Sequence, residues 1–173
     1  PLGPDGVAGL RLPGKCVWLD LATEDPQSAR AFYGAVLGWK FREVDGAPAS
    51  YAVIESETGK VAGVFRHARP AGATTRARWL ALVSVSDPQR AADLVRGRGG
   101  ETLVAPRRVP GRGTHAVFRD PDGAGFGVLA ADGGDPPDAP VETGHVFWLD
   151  LFTPDPAKAA AFYAAIAGYK GDT

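Results

Sequence analysis

The 173-residue chain contains no methionine, a single cysteine and only three histidines. One thiol, Cys16, cannot form an internal disulfide. With no CxxC pair and no Cys/His spacing of a zinc site, the cysteine count points to a reducing compartment and a cytoplasmic location. The lack of methionine in a chain that begins PLGPDG implies a processed or trimmed start, which leaves export open. No apolar run approaches the roughly 18 residues of a membrane-spanning helix. Charge excess is missing too: 19 Lys and Arg stand against 20 Asp and Glu, for a net −1. That balance excludes a global attraction to nucleic acid or an anionic membrane. Arginines gather in RHARP (66–70), RAR (76–78) and RR (107–108), which read as solvated loops and edges. There is no Gly-x-Ser-x-Gly elbow, and the GAGFG run (123–127) lacks the following helix that a phosphate cradle needs.

What the chain does have is an internal repeat. The segment GKCVWLDLATEDPQSARAFYGAVLGWK from Gly14 and the segment GHVFWLDLFTPDPAKAAAFYAAIAGYK from Gly144 agree at 15 of 27 positions without a gap. Such self-similarity marks an architecture built from one duplicated unit. In the first copy Val17, Leu19 and Leu21 alternate with Cys16, Trp18, Asp20 and Ala22, the period of a two-faced strand. Asp25-Pro26 then supplies an N-cap and a first helical residue. Ala29, Phe32, Tyr33, Val36 and Leu37 form one apolar stripe, closed by Gly38 where a left-handed cap favours glycine. Short strand-like runs follow at Trp39 to Val44, Tyr51 to Ser56 and Val61 to Arg66, punctuated by Asp45-Gly46 and Thr58-Gly59.

At 79–100 the pattern restarts. Asp87-Pro88-Gln89 opens a helix 62 residues after Asp25-Pro26-Gln27, with Ala91, Leu94 and Val95 on its apolar stripe. Strand-like runs Glu101 to Ala105, Thr114 to Arg119 and Gly125 to Ala130 complete this unit, with turns at VPGRG (109–113) and DPDG (120–123). The chain therefore divides into an N-terminal extension (1–13), a complete domain (14–131, units 14–66 and 78–131), a Pro/Gly/Asp linker (132–142) and a partial second domain (143–173).

The combination WLDL…FYGAVLGW…DPDGAGFG on a doubled strand-helix-three-strand unit resembles the vicinal oxygen chelate superfamily. That group includes glyoxalases, bleomycin-resistance proteins, extradiol dioxygenases and fosfomycin-resistance enzymes, and the likeness is to its tandem two-domain, glyoxalase-like bacterial members. The resemblance implies an α+β fold in which paired βαβββ units form a U-shaped eight-stranded mixed sheet. Helices would cover its outer face and a cavity would lie inside, with the opening strand-helix of a second such domain appended. Metal-using members place His or Glu on the first and last strands of each unit, where the ion polarises substrate oxygens. Carried onto this chain, those positions are Trp18, Gly63, Leu80 and Gly127, with Trp148 in the third copy. None of these side chains binds a metal, and a shift of two residues brings in Asp20 alone. A metal-free cavity with no cofactor is the expectation.

On that frame Cys16, Trp18, Asp20 and Ala22 point into the cup, while Val17, Leu19 and Leu21 pack under the helix. Trp18 would occupy the space of a metal and stack on a flat ligand. Asp20 would be the charged group of this strand, and a buried carboxylate must be paired or protonated. Arg78, on the inward parity with Leu80 and Leu82, is its candidate partner. Asp20 would either hold the sheet or meet the ligand. Gly63, Gly125 and Gly127 would make room for Trp18 or for a bulky ligand. His67, His115 and His145 read as surface or hydrogen-bonding residues; His115, with Asp20, is the candidate for catalysis. Cys16 reads as a small core residue.

Three functions fit these residues. The first is a metal-independent protein holding a small apolar or aromatic molecule in a cup lined by Trp18, Asp20, Tyr51, Phe65, Arg78, Leu80, Leu82 and Gly127. The second is a superfamily enzyme, a lyase, isomerase or dioxygenase, with displaced or absent metal ligands. The third is a scaffold that pairs domains or chains, as a homodimer or with the rest of a second domain. The apolar stripe Ala159, Phe162, Tyr163, Ile166 and Ala167 must find a partner in any case. No nucleic-acid or membrane partner is expected.

Overall fold

The computed structural model describes residues 3–45, 47, 51–68, 77–138 and 142–169. Eight strands form one sheet in the order β2-β3-β4-β1-β5-β8-β7-β6. The first half comprises β1 (Cys16–Thr23), α1 (Pro26–Leu37), β2 (Lys40–Glu43), β3 (Ala52–Glu55) and β4 (Lys60–Arg66). The second comprises β5 (Ala77–Ser84), α2 (Pro88–Gly97), β6 (Glu101–Val109), β7 (Gly113–Arg119) and β8 (Gly125–Ala131), and α3 (Pro156–Ala167) follows. The sheet is mixed. β1 lies parallel to β4 and β5 parallel to β8, while β1 and β5 meet antiparallel at the centre, which relates the two βαβββ halves by a pseudo-two-fold axis. Among the described residues no helix is long and apolar enough to cross a membrane.

Capping chemistry repeats as the sequence does. Asp25 Oδ1 accepts from the Gln27 and Ser28 amides, Asp87 Oδ1 from Gln89 and Arg90, and Asp155 Oδ1 from Lys158. Each of these bonds satisfies a helix-start amide that has no intrahelical acceptor. α1 ends at Gly38 with φ 68°, a conformation that disfavours any residue carrying a Cβ. β6 continues to Val109, four residues past the expected end at Ala105. Register shifts between Thr102 and Arg107 absorb Pro106, which an edge strand tolerates because its missing amide need not serve a ladder.

The core divides by face. On the helix side Leu19, Leu21, Ile54, Ala62 and Val64 pack with Trp39, Ala29 and Tyr33. The corresponding cluster of the second half joins Ala91, Ala92 and Val95 of α2 to Phe118, Phe126 and Val128. On the other face Trp18, Tyr51, Val53, Leu82 and Leu129 form a third cluster. β4 and β6 stand at well-separated places in the strand order, yet both line one cavity on that face, so the sheet curls into a cup.

Three sequence expectations change here. The α1 stripe does not bury as a unit: Ala29 and Tyr33 meet the sheet, whereas Phe32, Val36 and Leu37 are exposed. The stripe is wider than the one line of contact that a helix makes with the sheet. Cys16 is exposed rather than a core residue; it is the first residue of β1, ahead of the register shift between Cys16 and Trp18. Residues 132–138 are tied to the domain, since the buried Asp135 accepts from the Leu12 amide and the Ser84 hydroxyl, both at 2.6 Å. In the third copy the helix forms and docks Phe162 and Ile166 on the α2 cluster, but residues 146–152 pair with no strand. All eight strands of the sheet belong to the first two copies.

Candidate functional site in the cup

The cup is a cavity of about 450 Å³, within the range of small-molecule sites. Its apolar wall includes Leu80 and Leu82 of β5, Phe65 of β4, Leu103, Val104 and Val109 of β6, and Val117 of β7. Its floor is polar. Asp20, Tyr51 and Arg112 line it, and each is at most 7% exposed. Asp20 Oδ1 accepts from the Tyr51 hydroxyl at 2.7 Å and from Trp18 Nε1 at 3.0 Å. Its Oδ2 accepts from Arg112 Nη2 at 2.5 Å. Trp18 Nε1 and Arg112 Nη1 also donate to the Tyr51 oxygen, at 2.9 and 3.3 Å. The Arg112 guanidinium stands 5.5 Å from the Tyr51 ring centroid, and that ring stacks on Phe65.

Chain geometry produces this network. Trp18 and Asp20 are two apart on β1, so both point to one face. Tyr51 sits at the entrance to β3. Arg112 reaches in from the β6–β7 turn, between Gly111 (φ 73°) and Gly113 (φ 124°), which supply the backbone conformations that side chains disfavour. Gly63, beside Asp20 in the β1–β4 ladder, completes the fit. A Cβ there would fall 1.9 Å from the Tyr51 hydroxyl and 2.6 Å from Asp20 Oδ1.

The electrostatics are those of a closed system. Burial, and then the neighbouring Asp20 charge, push the Tyr51 hydroxyl well above its ordinary pKa, so it keeps its proton and donates it to Asp20. Burial opposes the charge on Arg112, but Asp20 and Tyr51 outweigh it and raise its pKa. His115 lines the cavity from β7, with Arg107 Nε donating to its Nε2 at 3.5 Å. Burial, then Arg112 and Arg107, lower its pKa to about 4, so its ring is neutral at pH 7 and accepts or donates hydrogen bonds without charge.

Against the sequence expectations, Asp20, Tyr51, Phe65, Arg78, Leu80, Leu82 and His115 all line the cup. Three expectations are corrected. The partner of Asp20 is Arg112, not Arg78; the parity of Arg78 was read correctly, but it lies on β5 opposite Ala22 rather than opposite Asp20. Trp18 does not face the cavity, because its indole is spent on Asp20 and Tyr51 and lies within the cluster beneath them. Gly127 does not line it either; a Cβ there would meet Leu82 Cγ at 3.1 Å and Ala116 O at 3.2 Å, so the glycine admits the packing of Leu82. Gly63 and Gly125 likewise accommodate Tyr51 with Asp20, and Leu80, rather than Trp18. His67 lies at the rim and His145 binds Ser56 and Thr58 outside the cup. Arg112 was missed. Its signal was an arginine enclosed by two glycines in VPGRG, a motif read only as a turn.

Strand register moves the ligand positions of the metal-using pattern. Asp20 lies opposite Gly63 and Leu82 opposite Gly127, so the first-strand positions beside the glycines are 20 and 82 rather than 18 and 80. This ring offers one carboxylate, already engaged by Arg112, Tyr51 and Trp18. Among the described residues no three His, Cys, Asp or Glu side chains group closely enough to hold a metal. The donor set does not fit the ion.

A doubled βαβββ sheet closed around a cavity defines a glyoxalase-type fold. Residues 15–128 match the family described as the Glyoxalase/Bleomycin resistance protein/Dioxygenase superfamily, and the chain belongs to it. It is 31% identical over 168 residues to the anthracycline biosynthesis protein DauV of Streptomyces sp. (strain C5), covering 90% of this chain and 61% of that protein. The anthracycline biosynthesis protein DnrV of Streptomyces peucetius matches with the same identity and coverage. The chain thus spans about three-fifths of the length of these relatives. Among solved structures, the Mn(II)-bound glyoxalase from Novosphingobium aromaticivorans superposes with a TM-score of 0.64 at 18% identity, over 93% of this chain and 55% of that one. At that identity the likeness establishes the fold alone.

Proposed function

We propose that the protein binds a small apolar or aromatic molecule in the cup of its sheet without the help of a metal ion. The observation that carries this reading is the floor of the cup. The one carboxylate at the ring positions accepts from Arg112, Tyr51 and Trp18, so an ion there would have to displace these bonds and would find no second carboxylate or imidazole at the ring positions. The walls above it, Leu80, Leu82, Phe65, Val104 and Val117, suit a flat hydrocarbon body. The names of DauV and DnrV, both anthracycline biosynthesis proteins, agree with an aromatic ligand class.

Thermal unfolding after chelation tests the reading. Saturating manganese, iron(II), nickel or zinc should leave Tm unchanged. A bound ligand at 100 times its Kd adds about 2.7 kcal/mol, a rise of roughly 5–10 °C for a chain of this size. A rise of that size with a metal, abolished by Asp20→Asn, would overturn the metal-independent reading.

A further inference from the structure

We propose that the cup selects molecules that join an apolar or aromatic body to an anionic oxygen group, and that Arg78 and Arg107 receive that group. The inference rests on the cup being the ligand site and names the chemistry of what enters it. Among the described residues, five arginines, at 66, 78, 107, 112 and 119, line the cavity, and Asp20 is its one acidic lining residue. Two of these cations are committed: Arg112 to Asp20 and Arg119 to Glu101. Arg66 feels the charge of Asp25 outside the cup. Arg78 and Arg107 form no ion pair with any described carboxylate.

The contrast with the whole chain decides how to read this. A protein with a net charge of −1 has no general reason to collect cations in one concavity. Exposed arginines elsewhere on the sheet are neutralised, as Arg42 is by Glu55 and Arg108 by Asp132. Among the described arginines of the strands, those without such partners, Arg66, Arg78 and Arg107, all line the cup. His115 reports the same positive surroundings: after burial, Arg112 and Arg107 are what keep it unprotonated. An anion entering the cup would displace water from Arg78, which is already half-buried, and a charge-assisted pair gains strength as water leaves. The apolar wall formed by Leu80, Leu82 and Val104 would take the body of the same molecule. A carboxylate, a phenolate and a sulfonate present the same chemistry to these two arginines.

The test compares two fluorescent probes that share a ring system, 8-anilinonaphthalene-1-sulfonate and the uncharged N-phenyl-1-naphthylamine. Titration of the purified chain at low salt should give the sulfonate a Kd lower by about tenfold or more, the scale of one charge-assisted contact. The preference should shrink at 0.2 M salt and in Arg78→Gln and Arg107→Gln. It should persist in Arg42→Gln, which removes the same charge outside the cup. Equal affinity for the two probes, or a preference unchanged in both cup variants, would overturn the anion inference while leaving the cup as an apolar site. If neither probe binds, the ligand-site reading falls and this inference falls with it.

Discussion

The sequence Trp-Leu-Asp-Leu occurs twice in this chain, and the two copies end in opposite surroundings. Trp18 is 4% exposed at the heart of an eight-stranded sheet, while Trp148 is 71% exposed in a segment that joins no strand. One interaction survives in both: Trp18 Nε1 donates to Asp20 Oδ1 at 3.0 Å, and Trp148 Nε1 to Asp150 Oδ1 at 2.8 Å. That bond spans two residues of extended chain and needs nothing else. Everything further in the first copy comes from distant residues: Tyr51, Arg112 and the space left by Gly63. A short motif therefore carries its local hydrogen bond wherever it goes, but burial and strand pairing depend on the presence of a neighbouring edge.

Breaking the buried copy should cost most at Asp20. Asp20→Ala leaves the Arg112 guanidinium buried without its counter-charge, a loss of about 3–5 kcal/mol, or on the order of 10 °C in Tm. Asp150→Ala should change stability by less than about 0.5 kcal/mol, so the pair of variants measured by denaturant unfolding reads the value of context. Adding Arg112→Ala to Asp20→Ala should cost much less than the sum of the single losses, because the coupled groups leave together.

Gly63→Ala comes next. Its Cβ collides with the Tyr51 hydroxyl, and forced repacking of this kind costs about 1–3 kcal/mol. Tyr51→Phe in the same chain should relieve part of that loss in thermal melts. Trp18→Phe removes a donor shared by Asp20 and Tyr51 and should cost about 1–2 kcal/mol, whereas Trp148→Phe should leave the melting curve unchanged.

A separate effect is expected on pH dependence. Because folded His115 titrates at about 4 rather than 6.5, the unfolded chain takes up its proton first. The stability contributed by neutral His115 is complete above pH 6.5 and is lost progressively as pH falls toward 4. Between pH 7 and 4.5 the wild-type Tm should therefore drop further than that of His115→Gln. Parallel curves would show that His115 titrates normally in the fold.

Much of the fold was legible because its signals are local. Asp25, Asp87 and Asp155 each announce a helix, and the alternation of Trp18 and Asp20 with Leu19 and Leu21 announces a two-faced strand. The residues expected to line the cup came mostly from that parity, and Asp20, Phe65, Arg78, Leu80 and Leu82 do so. Arg112 was not legible in the same way. It sits in a turn, where side chains follow no period, and its partner lies 92 residues away. Trp18 shows the converse: parity placed it on the right face, but whether its indole met the cavity or the cluster beneath depended on Tyr51 arriving from another strand.

The sequence by itself determined the duplicated unit, its helix starts and the two faces of its first strand, because capping and periodicity act over a few residues. Only the tertiary structure decided that Asp20 is closed off by Arg112, that the second WLDL stretch finds no sheet, and that the strand arginines without an ion-pair partner line one cup. Those outcomes depend on which distant groups meet, since desolvated charges and strand edges are stabilised only by partners that the folded chain brings to them.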